Sequence, residues 1–195
     1  MRCGCLGVDI GDVMTIYLIR HGKTFANENH LYCGSSDISL SENGKNELKM
    51  LKYPVLENAV YITSGMKRTN ETLQLLFGDV KFCTDENLKE IDFGDFELKS
   101  YEQLKTDDRY IKWISGDNNK NIAPNGESGS QMSKRVIKAF EKIADRNKNA
   151  VVVTHGGVIA AIMAYLFPDE EKNMYQWQPK PGHGYIIEKN KYTKI

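Results

Sequence analysis

The sequence has no excess of either charge, since 26 Lys and Arg residues balance 26 Asp and Glu residues. Net charge therefore gives no reason to expect binding to nucleic acid or to an anionic membrane, and any anion site must be local. Long apolar runs are missing too. None approaches the roughly 18 residues needed to cross a bilayer. The opening MRCGCLGVDIGDVM lacks the unbroken apolar block of a secretory signal, because Asp9 and Asp12 interrupt it. A cytoplasmic location is the expectation. The four cysteines, Cys3, Cys5, Cys33 and Cys83, lack paired zinc-ligand spacing, and in a reducing compartment they read as free thiols. A lone Cys3-x-Cys5 without histidine support is a weak metal signal. There is no glycine-rich P-loop, no GxGxxG after a strand and no HExxH, so nucleotide hydrolysis, dinucleotide binding and zinc proteolysis all lack their residues. No repeat of solenoid period is visible.

What is present fits one core: 195 residues, 41% hydrophobic and 27% charged, enough for a single well-buried domain and too few for two. Residues 1–13 show no period and are expected outside the fold, with the domain running 14–195. Ile16 to Ile19 is an apolar run too short for a helix, hence a central strand, and Arg20-His21-Gly22 breaks it. In open α/β sheets the ligand crevice lies beyond the carboxyl ends of strands, where this guanidinium, imidazole and glycine fall. Read alone, the tripeptide also fits an arginine paired with a surface acid and a satisfied strand-end histidine.

Further along, Leu40, Leu48, Met50 and Leu51 predict an amphipathic helix over 41–52, with Ser41 as N-cap and Pro54 helping to end it. Residues 59–63 predict a strand, and Ser64 a cap for the next helix. Met66, Asn70, Leu73, Leu76 and Phe77 give that helix its stripe and Gly78 closes it. Arg68 falls in its first turn, on the same rim as Arg20. Residues 80–83 read as an edge strand and 87–97 as a loop containing Glu90. Helix is expected over 101–114, followed by loop. Ser128 and Gln131 form a capping box, and Met132, Val136, Ala139, Phe140 and Ile143 carry a 3.6-residue stripe toward a helix end near Asn147. AVVVT at 150–154 is apolar on both faces, as a central parallel strand must be. His155-Gly156-Gly157 follows it, then a helix over 158–167. Residues 184–188 and 192–195 predict a closing hairpin across Asn190. The alternation of elements predicts a three-layer α/β/α domain with a mostly parallel sheet.

Two histidines at strand ends, two arginines on one rim and a loop glutamate suit a phosphoryl group, whose charge is spread over three oxygens that need donors. The motifs resemble those of the histidine phosphatase superfamily, the phosphoglycerate mutase and acid phosphatase clan, in its first branch. Arg20-His21-Gly22-Lys23-Thr24 with Asn27 is similar to RHGxTxxN. Tyr32-x-Gly34-x-x-Asp37-x-x-Leu40 with Gly44 is similar to the segment that follows. Residues 64–72, SGMKRTNET, resemble the second arginine motif, 88–97 the acid loop, 125–128 the GES turn and 153–158 the second histidine motif. The resemblance implies that His21 is phosphorylated, that Arg20, Arg68 and His155 hold the phosphoryl oxygens, and that Glu90 protonates the leaving oxygen and then activates water. It also implies that Asn27 and the backbone around Cys33, Gly34 and Gly156 touch phosphate. The arginines disfavour a protonated His21 imidazole, and they supply charge neutralisation without a metal or cofactor.

This chain departs from the family pattern at Ser64-Gly65, where Ser-Pro is common, at Phe96-Glu97-Leu98, where Trp-Glu-Gly is usual, and at Asn125, where glycine is common. The phosphoglycerate mutases carry an insertion and a C-terminal tail that exclude water, neither of which is seen here. The expectation is thus a metal-independent phosphatase for small phosphomonoesters, closest in pattern to α-ribazole phosphatases. A mutase and a non-catalytic phosphate-binding protein on the same fold are the alternatives. Trp113, Tyr101, Phe93 and Phe96 either line the substrate pocket or pack the cap.

Overall fold

The computed structural model describes residues 14–117, 119–146 and 148–195. The expectations for residues 1–13, including Cys3 and Cys5, and for Asn147 fall outside these. Among the described residues six strands form one sheet: β1 (Thr15–Arg20), β2 (Val60–Thr63), β3 (Phe82–Thr84), β4 (Ala150–Thr154), β5 (Gly184–Glu188) and β6 (Lys191–Lys194), in the order β3-β2-β4-β1-β5-β6. The pairs β1·β4, β2·β4 and β2·β3 are parallel, whereas β1·β5 and β5·β6 are antiparallel. The short β3 closes one edge, as the sequence predicts.

Successive residues of a strand face opposite ways, and here they feed two cores. Ile16, Leu18, Ala150 and Val152 pack on Met132, Val136, Ala139, Phe140 and Ile143 of helix α6 (Gly129–Ala144) and on Val158, Ile159, Ile162 and Met163 of α7 (Gly156–Leu166). Tyr17, Ile19, Val151 and Val153 face Leu73 of α3 (Lys67–Phe77) on the other side, with Leu76 and Phe77 at its margin. The result is the expected three-layer α/β/α arrangement. Each fully buried aliphatic side chain contributes about 1.5–3 kcal/mol, so the all-buried β4 is the sheet's anchor. It places His155 beside His21 because Arg20 pairs in register with Thr154.

Several local expectations are corrected. Helix α2 (Glu42–Lys49) keeps its Ser41 cap but stops before Pro54 can act, and Met50 is 83% exposed rather than part of the inward stripe. The N-cap of α3 is Met66 and not Ser64, whose hydroxyl is used elsewhere. Residues 101–114 form two short helices, α4 (Tyr101–Leu104) and α5 (Asp108–Ile114), each with its own side-chain cap. Helix α7 starts at Gly156, two residues earlier than expected, and α6 ends at Ala144.

A third cluster forms the cap segment: Phe96, Leu104, Tyr110 and Ala123 are buried, with Tyr32, Phe93 and Trp113 packed against them. The Tyr32 and Tyr110 hydroxyls share a 2.6 Å hydrogen bond. Phe96 is core, whereas Tyr101 is 54% exposed. The departures from the family pattern have a conformational counterpart. Leu98 and Asn125 hold the left-handed backbone (φ of 56° and 62°) that glycine adopts freely, and Gly65 at φ 84° occupies a region closed to proline.

Candidate active site

The site is built at the carboxyl ends of β1 and β4. His21 and His155 leave these adjacent parallel strands with ring centroids 5.1 Å apart. The His21 Nδ1 lies 2.7 Å from the Gly22 carbonyl oxygen. A carbonyl only accepts, so Nδ1 carries the proton and Nε2 keeps the lone pair, as a nucleophile requires. Burial holds the His21 pKa well below its ordinary 6.5, and the Arg68 and Arg20 guanidinium groups push the same way. The ring is neutral at neutral pH.

His155 is fully buried and bonded at both nitrogens. Arg68 Nε donates to Nδ1 at 3.3 Å, and Nε2 lies 2.8 Å from Ser64 Oγ. Thr69 Oγ1 donates to the Met66 carbonyl at 2.8 Å and lies 3.1 Å from Ser64 Oγ. Since the carbonyl can only accept, the chain has one consistent direction: His155 Nε2–H to Ser64, Ser64 to Thr69, Thr69 to Met66. Burial and then Arg68 hold this imidazole well below 6.5 as well.

Both arginines are aimed by main-chain carbonyls from distant loops. Arg68, in the first turn of α3 and fully buried, gives Nη1 to Ser36 O and Nη2 to Gly34 O, each at 2.7 Å. Arg20 gives Nη1 to Pro179 O at 2.9 Å, while its Nε is buried without a hydrogen-bond partner. An unspent, buried guanidinium N–H suits an anion. Glu90 approaches from the acid loop, its carboxylate accepting from Gly157 N at 2.9 Å and Ile91 N at 3.0 Å. A Cβ at residue 157 would lie 2.5 Å from Glu90 Oε1, so glycine there lets the carboxylate reach the turn.

The structure thus brings Arg20, His21, Arg68, Glu90 and His155 together. The remaining expected residues serve otherwise in this arrangement. Asn27 Oδ1 accepts from Thr24 N and Oγ1, each at 3.0 Å, capping the short helix α1 (Phe25–Glu28). Gly34 spends its N–H on Glu97 and its carbonyl on Arg68. The half-buried Cys33 thiol is pushed up, chiefly by burial. Gly156 lies against Arg20, where an added Cβ would stand 3.1 Å from its Cζ.

Sequence reasoning missed three contributors. Ser64 was expected as a helix cap. Glu97 collects the amides of Gly34, Ser35, Ser36 and Phe93, which fixes the loop whose carbonyls hold Arg68. The 177–183 segment supplies Pro179 O to Arg20, and Gly182 N to the Arg20 and His21 carbonyls at 3.0 and 3.2 Å. Pro179 carries no signal beyond its position, whereas Glu97 is the glutamate that matches the usual Trp-Glu-Gly, a signal that by itself assigns no role. Among the described residues, no group of three or more His, Cys, Asp or Glu is placed to hold a metal, and no helix is long and apolar enough to cross a membrane.

Two imidazoles held neutral and two aimed guanidiniums around the ends of parallel strands are an arrangement suited to phosphoryl transfer on an α/β sheet. The chain belongs to the histidine phosphatase superfamily (branch 1), whose sequence model matches residues 16–194. An adenosylcobalamin/alpha-ribazole phosphatase of Salmonella typhimurium is 28% identical over 179 residues, covering 87% of each chain. A metal-independent phosphoserine phosphatase of Arabidopsis thaliana is 31% identical over 77% of this chain and 68% of its own. The crystal structure of the alpha-ribazole phosphatase from Shigella flexneri superposes with a TM-score of 0.79 at 27% identity, covering 93% of this chain and 95% of that one. Membership supports a phosphatase or mutase activity.

Proposed function

We propose that the protein is a metal-independent phosphatase that hydrolyses small phosphomonoesters through a phosphohistidine at His21. The observation that carries this reading is the lone pair left on His21 Nε2 between two guanidiniums whose aim is fixed by other loops. Nε2 attacks phosphorus and the ester P–O bond breaks. Protonated Glu90 gives its proton to the leaving oxygen, and the resulting carboxylate then takes a proton from the water that attacks the phosphohistidine. Hydrolysis returns inorganic phosphate, the alcohol, and the starting protonation of both groups. Arg20 and Arg68 supply the charge neutralisation that magnesium gives in other phosphoryl transfers.

His155 is assigned as a phosphoryl-oxygen ligand with one condition. Both its nitrogens are engaged, so donating to an oxygen requires Nδ1 to gain a proton and exchange Arg68 Nε for the phosphoryl group. A bound dianion supplies the field for that proton uptake. Asn27, with its Nδ2 unspent, and the Gly156 amide are assigned as further phosphate contacts, and Cys33 and Gly34 as the loop that holds Arg68.

The test is hydrolysis of 4-nitrophenyl phosphate in the presence of a chelator, with trapping of an acid-labile phosphoenzyme in the parent chain and not in His21→Ala. Activity that vanishes with chelator, or a phosphoenzyme that survives His21→Ala, overturns the reading. A panel ranked by kcat/KM, with α-ribazole 5′-phosphate, phosphoserine, sugar phosphates and phosphoglycerates, then identifies the ester. Transfer to a second phosphoglycerate in place of water would assign a mutase.

A further inference from the structure

We infer that Arg135, held by Glu127, is the positioning residue that sets Glu90 against the phosphate cradle, an inference that rests on the reading of Glu90 as proton donor. Between Thr84 and Phe93 the loop that carries Glu90 has one turn of 3-10 helix, Glu86–Leu88, so most of its carbonyls must find donors elsewhere. Four consecutive ones do. Arg135 Nη1 donates to Asn87 O at 2.8 Å and to Lys89 O at 2.7 Å, and Nη2 donates to Glu90 O at 3.0 Å. Thr154 Oγ1 donates to Leu88 O at 2.7 Å.

The guanidinium's other two N–H groups go to Glu127, Nε to Oε2 at 3.1 Å and Nη2 to Oε1. A guanidinium has five N–H donors, and all five are spent. Glu127 Oε1 in turn accepts from Asp92 N at 3.2 Å, so the pair grips the loop on both sides of Glu90. Arg135 sits in mid-helix on α6, which is packed against the sheet, so the grip is referred to the rigid body of the fold rather than to another loop.

This geometry needs an arginine. A lysine keeps the charge but has three donors on one nitrogen and cannot span three carbonyls and a carboxylate. Loss of the grip frees the loop to drift, and a misplacement of about 1 Å at a reacting group can cost on the order of 100-fold. The loss in kcat/KM must be selective: this ratio reports the steps through phosphoryl transfer to His21, where Glu90 acts by donating its proton, and the later water step, which is common to all esters, does not enter it. Poor leaving groups need that proton and 4-nitrophenolate does not.

The experiment compares the parent, Arg135→Lys, Glu90→Gln and the double variant in the full chain, each with an alkyl phosphate and with 4-nitrophenyl phosphate. Arg135→Lys is expected to lose about 10- to 100-fold in kcat/KM on the alkyl ester and less than about 3-fold on the nitrophenyl ester. In the Glu90→Gln background it should cost nothing further on either, the mark of two residues acting as one unit. Equal losses on both esters, additive losses in the double variant, or full activity with lysine would overturn the inference. Should Glu90→Gln show no leaving-group preference, the proton-donor reading fails first and takes this inference with it. If Arg135→Lys does not fold, Glu127→Gln, which weakens the grip from the other end, must show the same selectivity at smaller size.

Discussion

The ends of β1 and β4 carry nearly the same sequence, Arg20-His21-Gly22 and Thr154-His155-Gly156, on neighbouring strands in register, and yet the two histidines are prepared for different work. His21 bonds through one nitrogen to the carbonyl of the next residue, a contact that needs nothing from the rest of the fold. His155 bonds through both, to Arg68 and to Ser64 on β2's side of the sheet. Residue type and strand position are shared, so the difference lies wholly in the neighbours. A ring tied at one nitrogen is free to react at the other. A ring tied at both is a hub, which the proposed reading uses to coordinate Arg68 with the bound phosphoryl group.

The largest break in this comparison comes from removing each ring in turn. His21→Ala should abolish turnover, a loss of about 10,000-fold or more, as expected when a nucleophile is removed from a concerted site. His155→Ala should cost about 100- to 1,000-fold, the size of a lost oxyanion donor, with the phosphoenzyme still forming slowly. Single-turnover kinetics with trapping of the phosphoenzyme separates them: none in the first variant, delayed appearance in the second. Equal residual rates would mean that the two rings are interchangeable and that the hydrogen bonds do not assign their roles.

The glycines that follow the histidines sharpen the contrast at a smaller scale. A Cβ at residue 22 would stand 2.6 Å from Leu48 Cδ1, in a wholly buried part of the core. Gly22→Ala should therefore cost about 1–3 kcal/mol of stability by overpacking. At residue 157 the added carbon meets the tip of Glu90, which can swing aside. Gly157→Ala should leave the melting temperature nearly unchanged and lower kcat on alkyl phosphates roughly tenfold, by displacing the acid. Thermal melts and kinetics on the two variants should show the effects in opposite columns.

How much of this was legible beforehand follows the same division. Strand-end histidines and arginines are visible because short apolar runs such as AVVVT fix where a strand stops, and the register then fixes what stands beside what. The stripe of α6 was legible for the same reason: Met132, Val136, Ala139, Phe140 and Ile143 all reach the core. Ser64 was misread because a serine before a helix is a good cap in any chain, and only the position of His155, 91 residues away, gives it a better partner. Arg135 was invisible as a working residue, and Glu97 was seen in its motif without a role, because both hold irregular loops by their backbones, and a backbone amide or carbonyl leaves no mark in a sequence. The 101–114 stretch broke into two helices because Asp107 caps a second start that its hydrophobic pattern does not announce.

The gentlest probe perturbs both rings together without mutating either. Each histidine has a folded-state pKa below 6.5, with burial the first cause and the guanidiniums the second. Above the unfolded value both rings are neutral in both states and contribute no pH dependence. As pH falls through about 6.5, the unfolded chain takes up protons that the folded one refuses, so stability falls with decreasing pH from there downward, by at most about 1.4 kcal/mol per unit for each ring. Denaturant melts between pH 7.5 and 5 should show this slope, and His155→Ala should remove about half of it. Saturating inorganic phosphate should also flatten it, because an anion between the guanidiniums favours the protonated hub. A slope unchanged by phosphate would mean that His155 keeps Arg68 as its partner when the site is filled, and that the reactive ring alone answers to the substrate.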